Sequence, residues 1–198
     1  MRVTMFDYGA GNLHSLAKAL VLAGADVRVE TDARRCIDGE ALVLPGVGAF
    51  TQAAGRLAPA RDAMRDAIRG GLPTLGVCLG MQLLFEGSDE GPGRGLGALA
   101  GRVVRVHAAR VPQIGWNTLD AVSDPLLTRA PLSYVYYANS YRARPANDAC
   151  VGAWTTYDRD RFPAIVRTHR AIGVQFHPEK SSRAGIAFLA AAVEELSR

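Results

Sequence analysis

The pentapeptide Gly76-Val77-Cys78-Leu79-Gly80 lies between an apolar run, Leu72-Pro73-Thr74-Leu75, and a helix-like segment, Met81-Gln82-Leu83-Leu84-Phe85. A strand that turns sharply into a helix needs small residues beside the turn, because a Cβ there meets converging backbone. Such an elbow lifts one side chain to the top of a sheet, which commits the chain to an α/β architecture. Here that side chain is a thiol. Its thiolate is a strong nucleophile near neutral pH, and the positive end of the following helix favours its formation. Most buried cysteines pack as small hydrophobes. The flanking glycines and a partner pair downstream assign Cys78 instead as a nucleophile.

The partner pair is Phe176-His177-Pro178-Glu179, closing the apolar strand Ala171-Ile172-Gly173-Val174-Gln175. A cysteine nucleophile needs a base for its proton, and that base needs an acceptor to set its tautomer. His177 fits the first role and Glu179 the second. Two residues apart in an extended segment, their side chains lean the same way. His14, His107 and His169 lack such company and read as structural.

The coarse pattern alternates strand and helix, then turns strand-rich. Strands are predicted at Arg2–Phe6, Asp26–Thr31, Ala41–Pro45 and Pro73–Cys78, with helices at Asn12–Ala23 and Arg61–Arg69. After the glycine-rich stretch at 91–97, read as a flexible loop, short β runs follow: Arg102–His107, Trp116–Ala121, Ser133–Tyr141, Cys150–Tyr157 and Ala164–His169. Ser181 is predicted to cap a closing helix, Ser182–Leu196. The expected fold is a doubly wound, mostly parallel sheet with helices on both faces. A smaller antiparallel strand layer comes from the second half. With 198 residues and 48% of them hydrophobic, one domain spanning 1–198 is expected.

Several function classes drop out. No stretch reaches the roughly 20 apolar residues of a membrane span, and Met1–Asp7 reads as a strand rather than a signal peptide. The three cysteines, Cys36, Cys78 and Cys150, form neither a metal pattern nor a disulfide framework, which suits a reducing cytoplasm. The net charge of +4 comes from arginines scattered along the chain, with no basic stripe for nucleic acid. Lysine occurs only at Lys18 and Lys180, so Lys180 beside His-Pro-Glu reads as an interface or gating contact as readily as a solvated charge.

A second chemical element is Leu44-Pro45-Gly46-Val47-Gly48-Ala49-Phe50, at the end of the third strand. Acyl transfer passes through a tetrahedral oxyanion, which needs backbone N–H donors. Gly46 and Gly48 free the backbone around Val47 to offer them, and Leu79 N–H supplies another.

Together these segments resemble class I glutamine amidotransferases, whose glutaminase domains use a Cys-His-Glu triad. The resemblance runs nearly end to end. It covers residues 7–13, 45–50, 76–86, 112–117 (Pro-Gln-Ile-Gly-Trp-Asn), 139–141 (Asn-Ser-Tyr) and 175–181. It implies that Cys78 attacks the side-chain amide of L-glutamine, His177 protonates the departing ammonia and Glu179 orients the ring, with no metal or cofactor. Gln82 and Glu90 match glutamine-contacting positions. Ser140 and Tyr141 match the segment cradling its carboxylate, and Gly46, Val47 and Leu79 match the oxyanion hole. Met81, Gly115-Trp116-Asn117 and Lys180 narrow the resemblance to members that pass ammonia into a (β/α)₈-barrel cyclase subunit in a 1:1 heterodimer. Trp116, Asn117 and Lys180 would lie on that interface. Many relatives carry Phe-Val-His before the Ser-Tyr pair, where this chain has Tyr137-Ala138-Asn139; an asparagine keeps hydrogen bonding but cannot titrate. Rival readings are a glutaminase serving another synthase, such as that of pyridoxal phosphate, a free-standing γ-glutamyl hydrolase, and a non-catalytic binding module.

Overall fold

The computed structural model describes residues 1–9, 13–46 and 48–198. Its first half runs β1 (Arg2–Phe6), α1 (His14–Leu22), β2 (Asp26–Glu30), β3 (Ala41–Leu44), α2 (Phe50–Leu57), α3 (Arg61–Arg69), β4 (Thr74–Val77) and α4 (Leu79–Gln82). The second half adds β5 (Gly87–Ser88), β6 (Gly101–Arg105), β7 (Gln113–Thr118), α5 (Pro125–Arg129), β8 (Tyr134–Asn139), β9 (Tyr141–Pro145), β10 (Val151–Tyr157), β11 (Asp160–Thr168), β12 (Ala171–Val174) and α6 (Ser182–Leu196).

Seven strands form the main sheet in the order β10-β11-β12-β4-β3-β1-β2. From β12 to β2 neighbours are parallel; β11 and β10 extend that edge antiparallel. Strands β3, β4 and β12 are buried along their whole length, as parallel strands covered on both faces must be. The period of two in β3 feeds two cores. Ala41 and Val43 pack with Leu16 and Leu20 of α1 and Phe188 and Leu189 of α6; Leu42 and Leu44 pack with Phe50 and Leu57 of α2 and Met64 and Ile68 of α3. Helices on both faces of a mostly parallel sheet are what the alternating pattern predicts.

The strands of the second half divide three ways. β10 and β11 join the main sheet, β7 and β8 pair as a separate hairpin, and β6 pairs with β5 and β9. The run expected as one strand from Ser133 to Tyr141 breaks at Ser140, where the chain leaves the hairpin for the sheet of β6 and β9. The predicted helix start at Asn12 falls outside the described residues. Helix α5 carries no periodic signal; its cap secures it. Asp124 accepts from Leu126 N at 2.9 Å and binds Arg167 of β11, which also reaches Glu195 of α6. The 91–97 stretch lies along the elbow segment, with Gly95 N donating to Glu86 O at 3.0 Å and Leu96 N to Leu83 O at 2.8 Å. No helix among the described residues is long and apolar enough to cross a membrane.

Candidate active site

Parallel register explains how residues distant in sequence meet. Val174 of β12 lies opposite Val77 of β4, and Cys78 N donates to Val174 O at 2.6 Å. The residues following each strand, Cys78 and the 175–179 segment, therefore emerge side by side. β3 flanks β4 on the other side and delivers Pro45 and Gly46 to the same edge. Open α/β sheets place their chemistry at this carboxyl edge.

Cys78 occupies φ 48°, ψ −104°, a conformation that L-residues adopt only under tertiary constraint. Gly80 permits it through close approach, since a Cβ there would sit 1.9 Å from Leu44 O. Gly46 faces the reacting groups. A Cβ on it would lie 2.8 Å from Val77 O, 3.0 Å from Cys78 Cβ and 3.2 Å from His177 Cε1. One small volume beside Gly46 is thus shared by the thiol-bearing carbon and the imidazole.

His177 is 3% exposed, and its Nδ1 pairs with Glu179 Oε1 at 2.8 Å. The two are not on an extended segment as predicted; Pro178–Lys180 forms a 3-10 turn, and that turn brings Glu179 back to the ring. The ring lies beside Cys78, both flanking the space next to Gly46. Burial pulls the His177 pKa down, but the Cys78 sulfur and the Glu179 carboxylate outweigh it and hold it up at about 10. A ring held positively charged beside Cys78 is suited to steady negative charge developing on the sulfur. The other cysteines differ. Burial pushes Cys36 up to about 12 and raises Cys150 as well, so both stay protonated.

A cavity of about 270 Å³ opens over Cys78. Gly46, Gly48 and Leu79 line it beside the sulfur; Gln82 and Glu90 form one wall and Ala138 to Tyr141 another. The structure thus brings together all the predicted glutamine contacts, Gln82, Glu90, Ser140 and Tyr141. Val47 lies outside the described residues, so of the predicted oxyanion donors only Gly46 and Leu79 are placed. Asn139, at the position where many relatives have histidine, lines this cavity and donates to Tyr141 O at 3.0 Å.

The predicted interface residues stand apart from the cavity. Trp116 is 44% exposed on β7 and stacks on Tyr134 at 5.5 Å. Lys180 is exposed, with its Nζ 5.8 Å from the centre of the Tyr136 ring. Asn117 is engaged within the chain, donating to Thr156 O at 2.9 Å.

Three residues escaped the sequence reading. Gln175 contacts the Cys78 sulfur, Tyr8 donates to Pro45 O just before Gly46, and Tyr136 O accepts from His177 N at 2.8 Å. Burial, with the Cys78 and Asp7 charges adding to it, raises the Tyr8 phenol well above its ordinary value, so it remains a neutral donor. A glutamine closing an apolar strand was the one available signal for Gln175. Ser181 does not cap α6 with its side chain. Its hydroxyl donates to His177 O at 2.7 Å and accepts from Tyr136 N at 3.0 Å, bracing the turn instead. No cluster of potential metal ligands occurs among the described residues.

Comparison with known proteins gives the family. The family described as Glutamine amidotransferase class-I matches residues 4–194, and the chain belongs to it. Among its curated relatives is "Imidazole glycerol phosphate synthase subunit HisH" of Thermus thermophilus, 43% identical over 197 residues, covering 97% of this chain and 96% of that one. The protein of the same name from Methanothermobacter thermautotrophicus is 43% identical over 195 residues, covering 97% and 98%. The Halobacterium salinarum protein is 41% identical, covering 94% and 90%. Among solved structures, PurLQS from Thermotoga maritima superposes with TM-score 0.71 at 19% identity, covering 98% of this chain and 96% of its own. A glutamine amidotransferase from the same organism gives 0.65 at 19% identity, covering 99% and 84%. At such identities these two establish the shared fold.

Proposed function

We propose that this chain is the glutaminase subunit of imidazole glycerol phosphate synthase. It hydrolyses L-glutamine and hands the ammonia to a cyclase subunit, which makes imidazole glycerol phosphate and AICAR from the phosphoribulosyl intermediate PRFAR in histidine biosynthesis. The observation that carries the chemistry is Cys78 lining a cavity, with an imidazole locked by Glu179 at 2.8 Å sharing the space beside Gly46. Identity of 41–43% over nearly the whole chain supports the choice of subunit.

The Cys78 thiolate attacks the glutamine side-chain carbonyl carbon, and the oxyanion forms against backbone N–H groups around Gly46, Val47 and Leu79. The His177 imidazolium gives its proton to the amide nitrogen, the C–N bond breaks, and ammonia leaves a thioester on Cys78. His177, now neutral, takes a proton from water as its oxygen attacks the thioester. Collapse releases glutamate and returns the thiolate and imidazolium. Glu179 keeps the ring in the required tautomer throughout. Gln82, Glu90, Ser140 and Tyr141 hold the substrate's amine and carboxylate ends.

Residues 1–198 act as one glutaminase domain in the cytoplasm, without metal or cofactor. The partner is a (β/α)₈-barrel cyclase at 1:1, docked over Trp116, Asn117 and Lys180. Exposure of Ile114 at 67%, Trp116 at 44% and Tyr134 at 54% on one hairpin supports an apolar docking face there. Glutamine hydrolysis measured with and without the cyclase and its nucleotide tests the reading. Low turnover alone and strong stimulation by both is the expected result. Rapid turnover without a partner would establish a free-standing hydrolase instead.

A further inference from the structure

We propose that Gln175 is a positioning residue of this site, an inference that rests on the glutaminase function proposed above. Its side-chain N–H holds the Cys78 sulfur, and its side-chain oxygen fixes Gln82 with a hydrogen-bond acceptor turned toward the cavity.

Tyr141 O is a backbone carbonyl and can only accept. The Gln82 atom 3.0 Å from it is therefore the amide nitrogen. That nitrogen is also 3.1 Å from Gln175, so the Gln175 atom facing it must be the acceptor oxygen. The Gln175 nitrogen is left against Cys78 Sγ, at 3.5 Å. Polarity thus passes from the main chain of β9 through two amides to the nucleophile, and neither amide is free to flip. Burial enforces this, because Gln175 is 0% and Gln82 4% exposed, so a reversed amide would find no water to replace its lost partners. The Gln175 main chain is itself tied to the sheet, its N–H donating to Ala164 O of β11 at 2.9 Å.

Two consequences follow for glutamine. With both Gln82 N–H bonds engaged, the oxygen is what Gln82 can offer a ligand, an acceptor suited to the ammonium or amide N–H of the substrate. An N–H directed at sulfur favours the thiolate over the thiol. The titratable groups near Cys78 are His177 with Glu179 behind it, Tyr8 beyond β1 and Glu90 on the cavity wall. Gln175 is uncharged, so a neutral replacement changes the sulfur's titration without changing local charge.

The test uses Gln175→Met and Gln175→Glu, both assayed as the complex with the cyclase. We expect kcat to fall about tenfold and KM to rise severalfold in Gln175→Met, the scale of one hydrogen bond lost at each end. The pH midpoint for iodoacetamide alkylation of Cys78 should rise by about one unit, and further in Gln175→Glu, where a carboxylate faces the sulfur. A merely structural role would lower the active fraction while KM and the alkylation midpoint stayed put; that result in a folded variant overturns the proposal. If neither variant folds, the wild-type chain decides. The Gln175 side-chain amide resonances should move when Cys78 is alkylated, and unmoved resonances overturn the inference. Wild-type protein that cannot hydrolyse glutamine even in the complex defeats the functional reading instead, and the alkylation and resonance measurements still judge Gln175 at the sulfur.

Discussion

The carboxyl edge of β3, β4 and β12 and the β7–β8 hairpin touch each other, yet they are built differently. The edge is buried, and its reactive groups hang from three parallel strands whose registers leave them little freedom. The hairpin buries one face, through Val135 and Tyr137, and turns Ile114, Trp116 and Tyr134 to solvent. On the proposed reading, chemistry is placed where the sheet can fix it, and recognition where side chains are free to meet a second surface. Tyr136 joins the two. Its O accepts from His177 N and its N donates to Ser181 Oγ, so displacement of the hairpin is felt at the His-Pro-Glu turn.

The sharpest way to break this comparison is at the nucleophile. Cys78→Ala should lower glutamine hydrolysis by at least about 10⁴-fold, while synthesis from added ammonium salt by the complex continues. Loss of both activities would mean that the edge is not a separable glutaminase. Glu179→Gln should lower the rate on the order of a thousandfold by releasing the ring's tautomer. It should also move the pH dependence. His177 is held up at about 10, so its charged pairing adds stability that is fully present below the ordinary histidine range and is lost as pH rises through about 10. Urea midpoints followed from pH 7 to 10 should therefore decline in the wild type and decline less in Glu179→Gln.

Gly46→Ala places a methyl 2.8 Å from Val77 O, against the reacting groups rather than in a core. Turnover should fall on the order of a hundredfold, with circular dichroism confirming the fold. Unchanged turnover would remove this strand from the oxyanion role. On the hairpin the effects should invert. Trp116→Ala should weaken cyclase binding by about 2 kcal/mol, read by titration calorimetry, while the melting temperature stays within about 2 °C of wild type. Lys180→Ala should be smallest, reducing stimulation by the cyclase severalfold with no stability change beyond about 0.5 kcal/mol. An equal loss of melting temperature in either hairpin-side variant would erase the distinction between the two regions.

Much of the reactive edge was legible in the sequence because its signals are local. The glycines around Cys78, the Gly46-Val47-Gly48 run and the His177-Pro178-Glu179 triplet each announce a turn and a chemistry within a few residues. Gln175 and Tyr8 were not legible. Their partners, Cys78 and Pro45, lie far along the chain, and nothing local distinguishes a glutamine that meets a sulfur from one that meets water. The bond from Asn117 to Thr156 O was not legible for the same reason, since it exists only once β7 lies beside β10.

By itself, then, the order of residues determined the α/β alternation, the candidates for nucleophile, base and orienting carboxylate, and the family to which the chain belongs. Hydrophobic period and glycine placement act over short separations, and side-chain chemistry needs no neighbours to be named. Tertiary structure alone decided that β12 lies against β4, that a 3-10 turn rather than an extended segment brings Glu179 to His177, and which way the Gln82 and Gln175 amides face. Those outcomes depend on strand register and on burial that removes water as an alternative partner, and both arise only when distant segments pack together.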